Sequence, residues 1–181
     1  TGCGATNAVT GVLDAWGDNT PVIFISGQVK RKEASRNSKI NLRTFGVQEA
    51  DVISIVQSIT KYSIMINKPE DILFHLEKAT YLALSGRPGP VWIDIPLDIQ
   101  ASTIEPSKLL GFKKLPSNKG PVRSFSKYNE IITLINSSKR PIILAGHGIR
   151  LSKASKDFIK MCKILKIPVV TTWNAMDLLE S

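Results

Sequence analysis

The chain has 181 residues, 43% of them hydrophobic and 22% charged, with 24 Lys and Arg against 15 Asp and Glu. That apolar fraction excludes a disordered chain, and the length is enough to bury roughly 70% of the extended-chain surface without disulfides or a structural metal. No apolar run approaches the ~20 residues a membrane span needs, and two distant cysteines, Cys3 and Cys162, exclude a disulfide framework.

In chain order, Gly2 and Gly4 predict a tight turn into a helix whose Val9, Val12, Leu13 and Trp16 form one buried face, ended by Asp18-Asn19. Pro21–Ser26 is a continuous β-branched run and predicts a strand buried on both faces. Gln28–Thr44 is polar and basic and reads as a long loop. Gln48–Ser58 predicts a helix with Glu49 and Asp51 in its first turn, where the helix dipole favours acids. Tyr62–Ile66 predicts a short strand. Pro69–Leu84 predicts a helix, started by Pro69, Glu70 and Asp71 and stopped near Gly86. Val91–Ile95, after Gly89-Pro90, predicts a second buried strand. Strands separated by helix-length crossovers imply a parallel α/β sheet.

Residues 101–121 carry three prolines, two glycines and several Ser and Lys, a linker composition. The rhythm then restarts: helix Ser126–Ser138, strand Pro141–Ala145, turn Gly146-His147-Gly148, helix Ser152–Lys166 and strand Pro168–Thr172. The expected organisation is one α/β unit over 1–100, a linker over 101–121 and the start of a second over 122–181. The opening at Thr1 and the ending at Glu180-Ser181 predict a fragment.

The charge excess sits in residues 121–181, with ten basic against four acidic side chains. There Lys153, Lys156, Lys160 and Lys163 recur at helical spacing opposite Leu151, Ala154, Phe158, Cys162 and Leu165, the pattern of a solvated helix face. No aromatic residue shares the face of these lysines, so no nucleic-acid partner is expected. Lys30, Arg31, Lys32 and Arg36 form a second basic stretch, read as a solvated loop or as a receiver of an anionic substrate. His75 falls in an amphipathic helix and reads as structural. His147 lies at a strand–helix turn of the kind where doubly wound sheets meet ligands. The turn at Gly2 and Gly4 lacks the third glycine of the dinucleotide fingerprint, because Asn7 stands in its place.

Three blocks in this order, GATNAVTGVLDAWGDNTPVIFISGQV, VQEADVISIVQSITKYS and SGRPGPVWIDIPLDIQ, resemble thiamine diphosphate-dependent enzymes of the acetolactate synthase type. KRPIILAGHGI and LKIPVVTTWNAMD resemble the start of that family's central domain. The resemblance implies a partial, doubly wound, parallel-sheet thiamine diphosphate-binding fold, followed by the start of a second Rossmann-like α/β domain. It implies a cytoplasmic homodimer or homotetramer that acts on a 2-oxo acid such as pyruvate, with no membrane partner. By the same resemblance, Gly2, Cys3, Gly4 and Asn7 would lie at the aminopyrimidine of the cofactor, Cys3 standing where the family has proline. Gln48 would lie at the reactive end, its amide facing a substrate carbonyl. The acid that protonates the aminopyrimidine would precede Thr1. The Mg2+ and diphosphate site would follow Ser181, so the piece alone is expected to be inert, with no metal ligands of its own. The turn at Gly146 and Gly148 leaves FAD as an open cofactor. The competing reading is a non-catalytic α/β ligand-binding or interaction module of the same fold.

Overall fold

A computed structural model describes residues 2–113 and 125–179. The chain divides into two compact units, Thr1–Ser117 and Asn118–Ser181. The part of the expected linker from 114 to 121 lies outside the described residues.

The first unit is a three-stranded parallel sheet in the order β1-β3-β2, with β1 at Ile23–Gln28, β2 at Tyr62–Met65 and β3 at Val91–Pro96. β3 takes the centre, and it alone is buried on both faces: five of its six residues are buried, Asp94 among them. Its alternation feeds two cores. Trp92 joins Val12, Val52, Val56 and Met65 on one face, beneath α1 (Val9–Asp18) and α2 (Val52–Val56). Val91 and Ile93 join Ile66, Ala79, Ala83 and Ile99 on the other, beneath α3 (Ile72–Leu84) and α4 (Leu97–Gln100). Helices on both faces of a parallel sheet make this a doubly wound α/β unit, as expected.

Three local expectations are corrected. β1 is not buried on both faces: Ile23 and Ile25 are exposed, the latter by 60%. β1 is an edge strand, and α3 packs with the residues of β2 and β3 on that face, so only the Phe24 side of β1 is covered, where Phe24 stacks on Trp92 with ring centroids 5.2 Å apart. In α1 the buried positions are Val12 and Ala15, while Leu13 and Trp16 are exposed. The true stripe is Ala5, Ala8, Val9 and Val12, because a 3-10 turn over Gly2–Ala8 precedes α1 and rotates its face. The helix expected over Gln48–Ser58 contracts to Val52–Val56 and a 3-10 turn, Gln57–Ile59. Gln48 has φ +62 and cannot belong to a right-handed helix.

α3 begins after a 3-10 turn at Pro69–Asp71 and stops before Gly86, whose φ of +60 suits glycine. The Lys61 ammonium donates to the last-turn carbonyl of Leu82 and to that of Ser85, 2.6 Å in the second case, which favours the negative end of the helix. His75 shares a 2.6 Å hydrogen bond between Nδ1 and the Tyr62 hydroxyl, a structural role. Residues 101–113 stay with this unit: the Phe112 amide donates to Glu77 at 2.6 Å and its ring packs on Phe74 and Tyr81.

The second unit pairs β4 (Ile143–Ala145) with β5 (Val169–Thr171) in parallel. Its helices are α5 (Phe125–Ser137), a short α6 (Gly148–Leu151) and α7 (Ser155–Leu165). The helix expected from Ser152 starts three residues later, since Lys153 has φ +58 and separates α6 from α7. Its core is small: Ala145, Phe158, Ala175 and Leu178. Lys156, Lys160 and Lys163 are exposed along α7, opposite buried Phe158, as a solvated face requires.

Candidate cofactor and substrate site

The carboxyl ends of β1, β2 and β3 lie at one edge of the sheet, the edge where open α/β sheets take ligands. Gln28 ends β1 there, Asn67 follows β2 and Asp98 follows β3.

The glycine turn and Gln48 meet at the backbone. The Cys3 N–H donates to the Gln48 carbonyl at 3.1 Å. Gly2 is buried at φ +50, and a Cβ there would stand 1.5 Å from the Gln48 carbonyl oxygen. Only glycine lets the two segments touch. Gly4 has open space where a Cβ would be. Of the site residues read from the sequence, Gly2, Cys3 and Gln48 are thus brought together. Asn7 lies two turns along the 3-10 segment with its side chain exposed, and Cys3 is also exposed. The left-handed backbone at Gln48 leaves its amide exposed at the surface while the next residue turns inward.

That next residue is Glu49, 8% exposed. One carboxylate oxygen accepts from the Ser35 N–H at 2.5 Å and the Ser35 hydroxyl at 2.6 Å. The other accepts from the Phe45 N–H at 2.8 Å and the Gly46 N–H at 3.3 Å. Burial pushes the Glu49 carboxyl up, but the hydrogen bonds from Ser35, Phe45 and Gly46 outweigh it and hold it below the usual range. Glu49 therefore pins the middle of the basic loop, at Ser35, to its far end, at Phe45 and Gly46. Arg36 pairs with Asp51 at 3.2 Å, and buried Ala34 anchors the middle.

Behind this loop is a buried polar chain. Trp92 Nε1 donates to the Ser26 hydroxyl at 2.8 Å, which donates to Asp94 Oδ1 at 2.6 Å. Gln28 Nε2 donates both to Asp94 Oδ2 at 3.0 Å and to the Ala50 carbonyl at 2.7 Å. Asp94 is 1% exposed. Burial raises its carboxyl, and the donors Ser26 and Gln28 oppose the rise. This chain ties β3 to β1 and to the segment bearing Gln48. Sequence reading missed Asp94, Gln28 and Glu49. The signal for Asp94 was a lone acid inside an apolar strand, VWIDIP.

Open backbone at Gly4, with exposed amides at Asn7 and Gln48, suits a flat heteroaromatic ring with its own donors and acceptors. Residues 1–64 match the family described as thiamine pyrophosphate enzyme, N-terminal TPP binding domain, and residues 128–181 match thiamine pyrophosphate enzyme, central domain. The chain belongs to the thiamine pyrophosphate enzymes.

Among relatives of this thiamine pyrophosphate enzyme chain, a probable acetolactate synthase large subunit of Methanocaldococcus jannaschii is 38% identical over 179 residues, covering 94% of this chain and 28% of the relative. The acetolactate synthase large subunit of Lactococcus lactis is 37% identical with the same coverages. Acetolactate synthase 1, chloroplastic, of Nicotiana tabacum is 34% identical, covering 94% of this chain and 24% of the relative. The chain thus spans about a quarter of the length of the curated relatives it matches. Among the described residues no helix is long and apolar enough to cross a membrane, and no three His, Cys, Asp or Glu side chains form a metal-binding group.

Proposed function

We propose that residues 1–181 form part of a thiamine diphosphate-dependent carboligase that joins 2-oxo acids, with pyruvate the first substrate. The observation that carries this is the close packing of the Gly2–Cys3 turn on the Gln48 backbone, which brings the open backbone at Gly4 and the exposed Gln48 amide to one place. The cofactor, when bound, supplies a carbanion centre and the protein supplies position and polarity. The open backbone at Gly4 gives close approach to the aminopyrimidine, Gly2 lets the turn pack on Gln48, and the Asn7 amide offers the ring a polar partner. Gln48 Nε2 donates to the carbonyl oxygen of the substrate and orients it. The Trp92–Ser26–Asp94–Gln28 chain keeps the Gln48 segment from drifting, which matters because small displacements of a positioning group cost rate. In this reading Mg2+ is held by residues outside 1–181, FAD stays an open second cofactor, and the working protein is a cytoplasmic homodimer or homotetramer.

The test is a chimera in which residues 1–181 replace the matching quarter of the Methanocaldococcus jannaschii relative. With thiamine diphosphate, Mg2+ and pyruvate it forms acetolactate. Gln48→Ala lowers its kcat/KM about tenfold or more, and Gly2→Ala abolishes it. The 181-residue chain alone gives no turnover. A folded chimera without activity overturns the reading and points to a non-catalytic ligand-binding module; turnover by the isolated chain overturns its last clause.

A further inference from the structure

The basic loop is not a loosely solvated tail. Besides the four hydrogen bonds to Glu49, 3-10 turns at Arg31–Glu33 and Ser35–Asn37 shape it, and Asn37 Nδ2 donates to the Arg31 carbonyl at 3.2 Å. Arg31 is fixed by three hydrogen bonds to two residues. Its Nε donates to Asp98 Oδ2 at 2.7 Å, its backbone N–H to Asp98 Oδ1 at 3.0 Å, and its guanidinium to the Asn67 carbonyl at 2.5 Å.

These contacts frame an open cavity of about 670 Å³ lined by Lys30, Arg31, Lys32, Asn37, Asn67 and Asp98. The segments that follow all three strands of the first unit converge on it, so it lies at the ligand-binding edge of the sheet. Three cations face one carboxylate, and that carboxylate is engaged by Arg31. Lys30 and Lys32 have no acidic partner among the described residues. A concave cationic site with a pinned guanidinium and two uncommitted ammonium groups concentrates anions. The basic stripe of α7 differs: it lies on one exposed helix face opposite buried Phe158.

We infer that the cavity bounded by Lys30, Arg31, Lys32, Asn67 and Asp98 is an anion subsite, which takes a carboxylate or phosphoester group carried by a substrate. It extends the proposed function and rests on that reading only in making the ligand a substrate; the binding itself stands apart from it. Lys30 and Lys32 supply the charge, and Arg31, aligned by Asp98, supplies direction.

The experiment titrates the 181-residue chain with inorganic phosphate and with succinate, at ionic strength matched by chloride, and follows backbone amide resonances. Saturable shifts at Lys30–Lys32, Asn37, Asn67 and Asp98 are expected from at least one probe; the tighter of the two tells phosphoester from carboxylate. The double variant Lys30→Glu/Lys32→Glu weakens that binding about tenfold or more, and Lys156→Glu/Lys160→Glu leaves it unchanged. Absence of saturation with both probes, equal shifts along Lys156–Lys163, or unchanged affinity in the Lys30→Glu/Lys32→Glu chain would overturn the assignment. An inert chimera leaves this titration standing, and a failed titration leaves pyruvate turnover standing.

Discussion

Glu49 shows how a single side chain turns a polar stretch into a framework. Four donors converge on its two oxygens, from residues three to fourteen positions away. Replacing it by Gln trades one acceptor oxygen for a donor that faces N–H groups. Leaving such donors unpaired costs roughly 1–3 kcal/mol, so Glu49→Gln is expected to lose about that much stability at neutral pH. The carboxyl is held lower in the folded chain than in the unfolded one. Its contribution is therefore present above the unfolded value, about 4.3, and is lost as pH falls through the lower folded value. Urea unfolding followed at the buried Trp92 should show the wild-type advantage at pH 7 shrinking in acid. A difference independent of pH would mean that Glu49 acts by packing alone. Asp94 has the opposite sign: its carboxyl is raised, so its burial favours the fold below the ordinary aspartate range and the benefit fades as pH rises through the raised folded value.

At the scale of elements, α2 is five residues long and too short to stand on propensity. Asp51 caps it, accepting from the Ser54 N–H at 3.3 Å and the Ser54 hydroxyl at 2.6 Å while it also holds Arg36. Asp51→Ala is expected to cost about 1 kcal/mol, typical of a lost N-cap, and to loosen the loop at Arg36. Chemical denaturation together with faster amide exchange at Ile53–Val56 checks it; unchanged exchange there would show that the cap is dispensable. The acid near this helix was legible in the sequence, and so were β3 and α3, because apolar runs and their Gly and Pro borders are local signals. The edge exposure of β1 was not legible, since it follows from the strand order, which brings β3 between β1 and β2. Gly2 was legible as a turn glycine but not as the point of contact with Gln48, forty-six positions on. The positive φ of Gln48 and the four-donor role of Glu49 are likewise set by chain segments far away.

For the whole chain, the two units have unequal means of support. The first has a central strand shielded by helices on both faces and two separate apolar clusters. Among the described residues, the second rests on a two-stranded sheet and one cluster of four buried residues, and it exposes Leu144, Ile164 and Trp173, the last by 85%. Two paired strands are marginal in water unless an apolar face is well covered. Opening free energies should therefore be graded along the chain rather than uniform. Amide exchange of the 181-residue chain is expected to be slowest at Val91–Asp94 and faster throughout Ile143–Ala145 and Val169–Thr171, and calorimetry to show two transitions with the second unit melting first. The Phe158→Ala variant separates the units further. Phe158 is the only large aromatic buried among the described residues of the second unit, and its removal, at roughly 3–5 kcal/mol, exceeds what so small a core can spare. It should lose the lower transition while leaving protection at Val91–Asp94 intact. A single cooperative transition, or loss of β3 protection in Phe158→Ala, would mean that the two units fold as one.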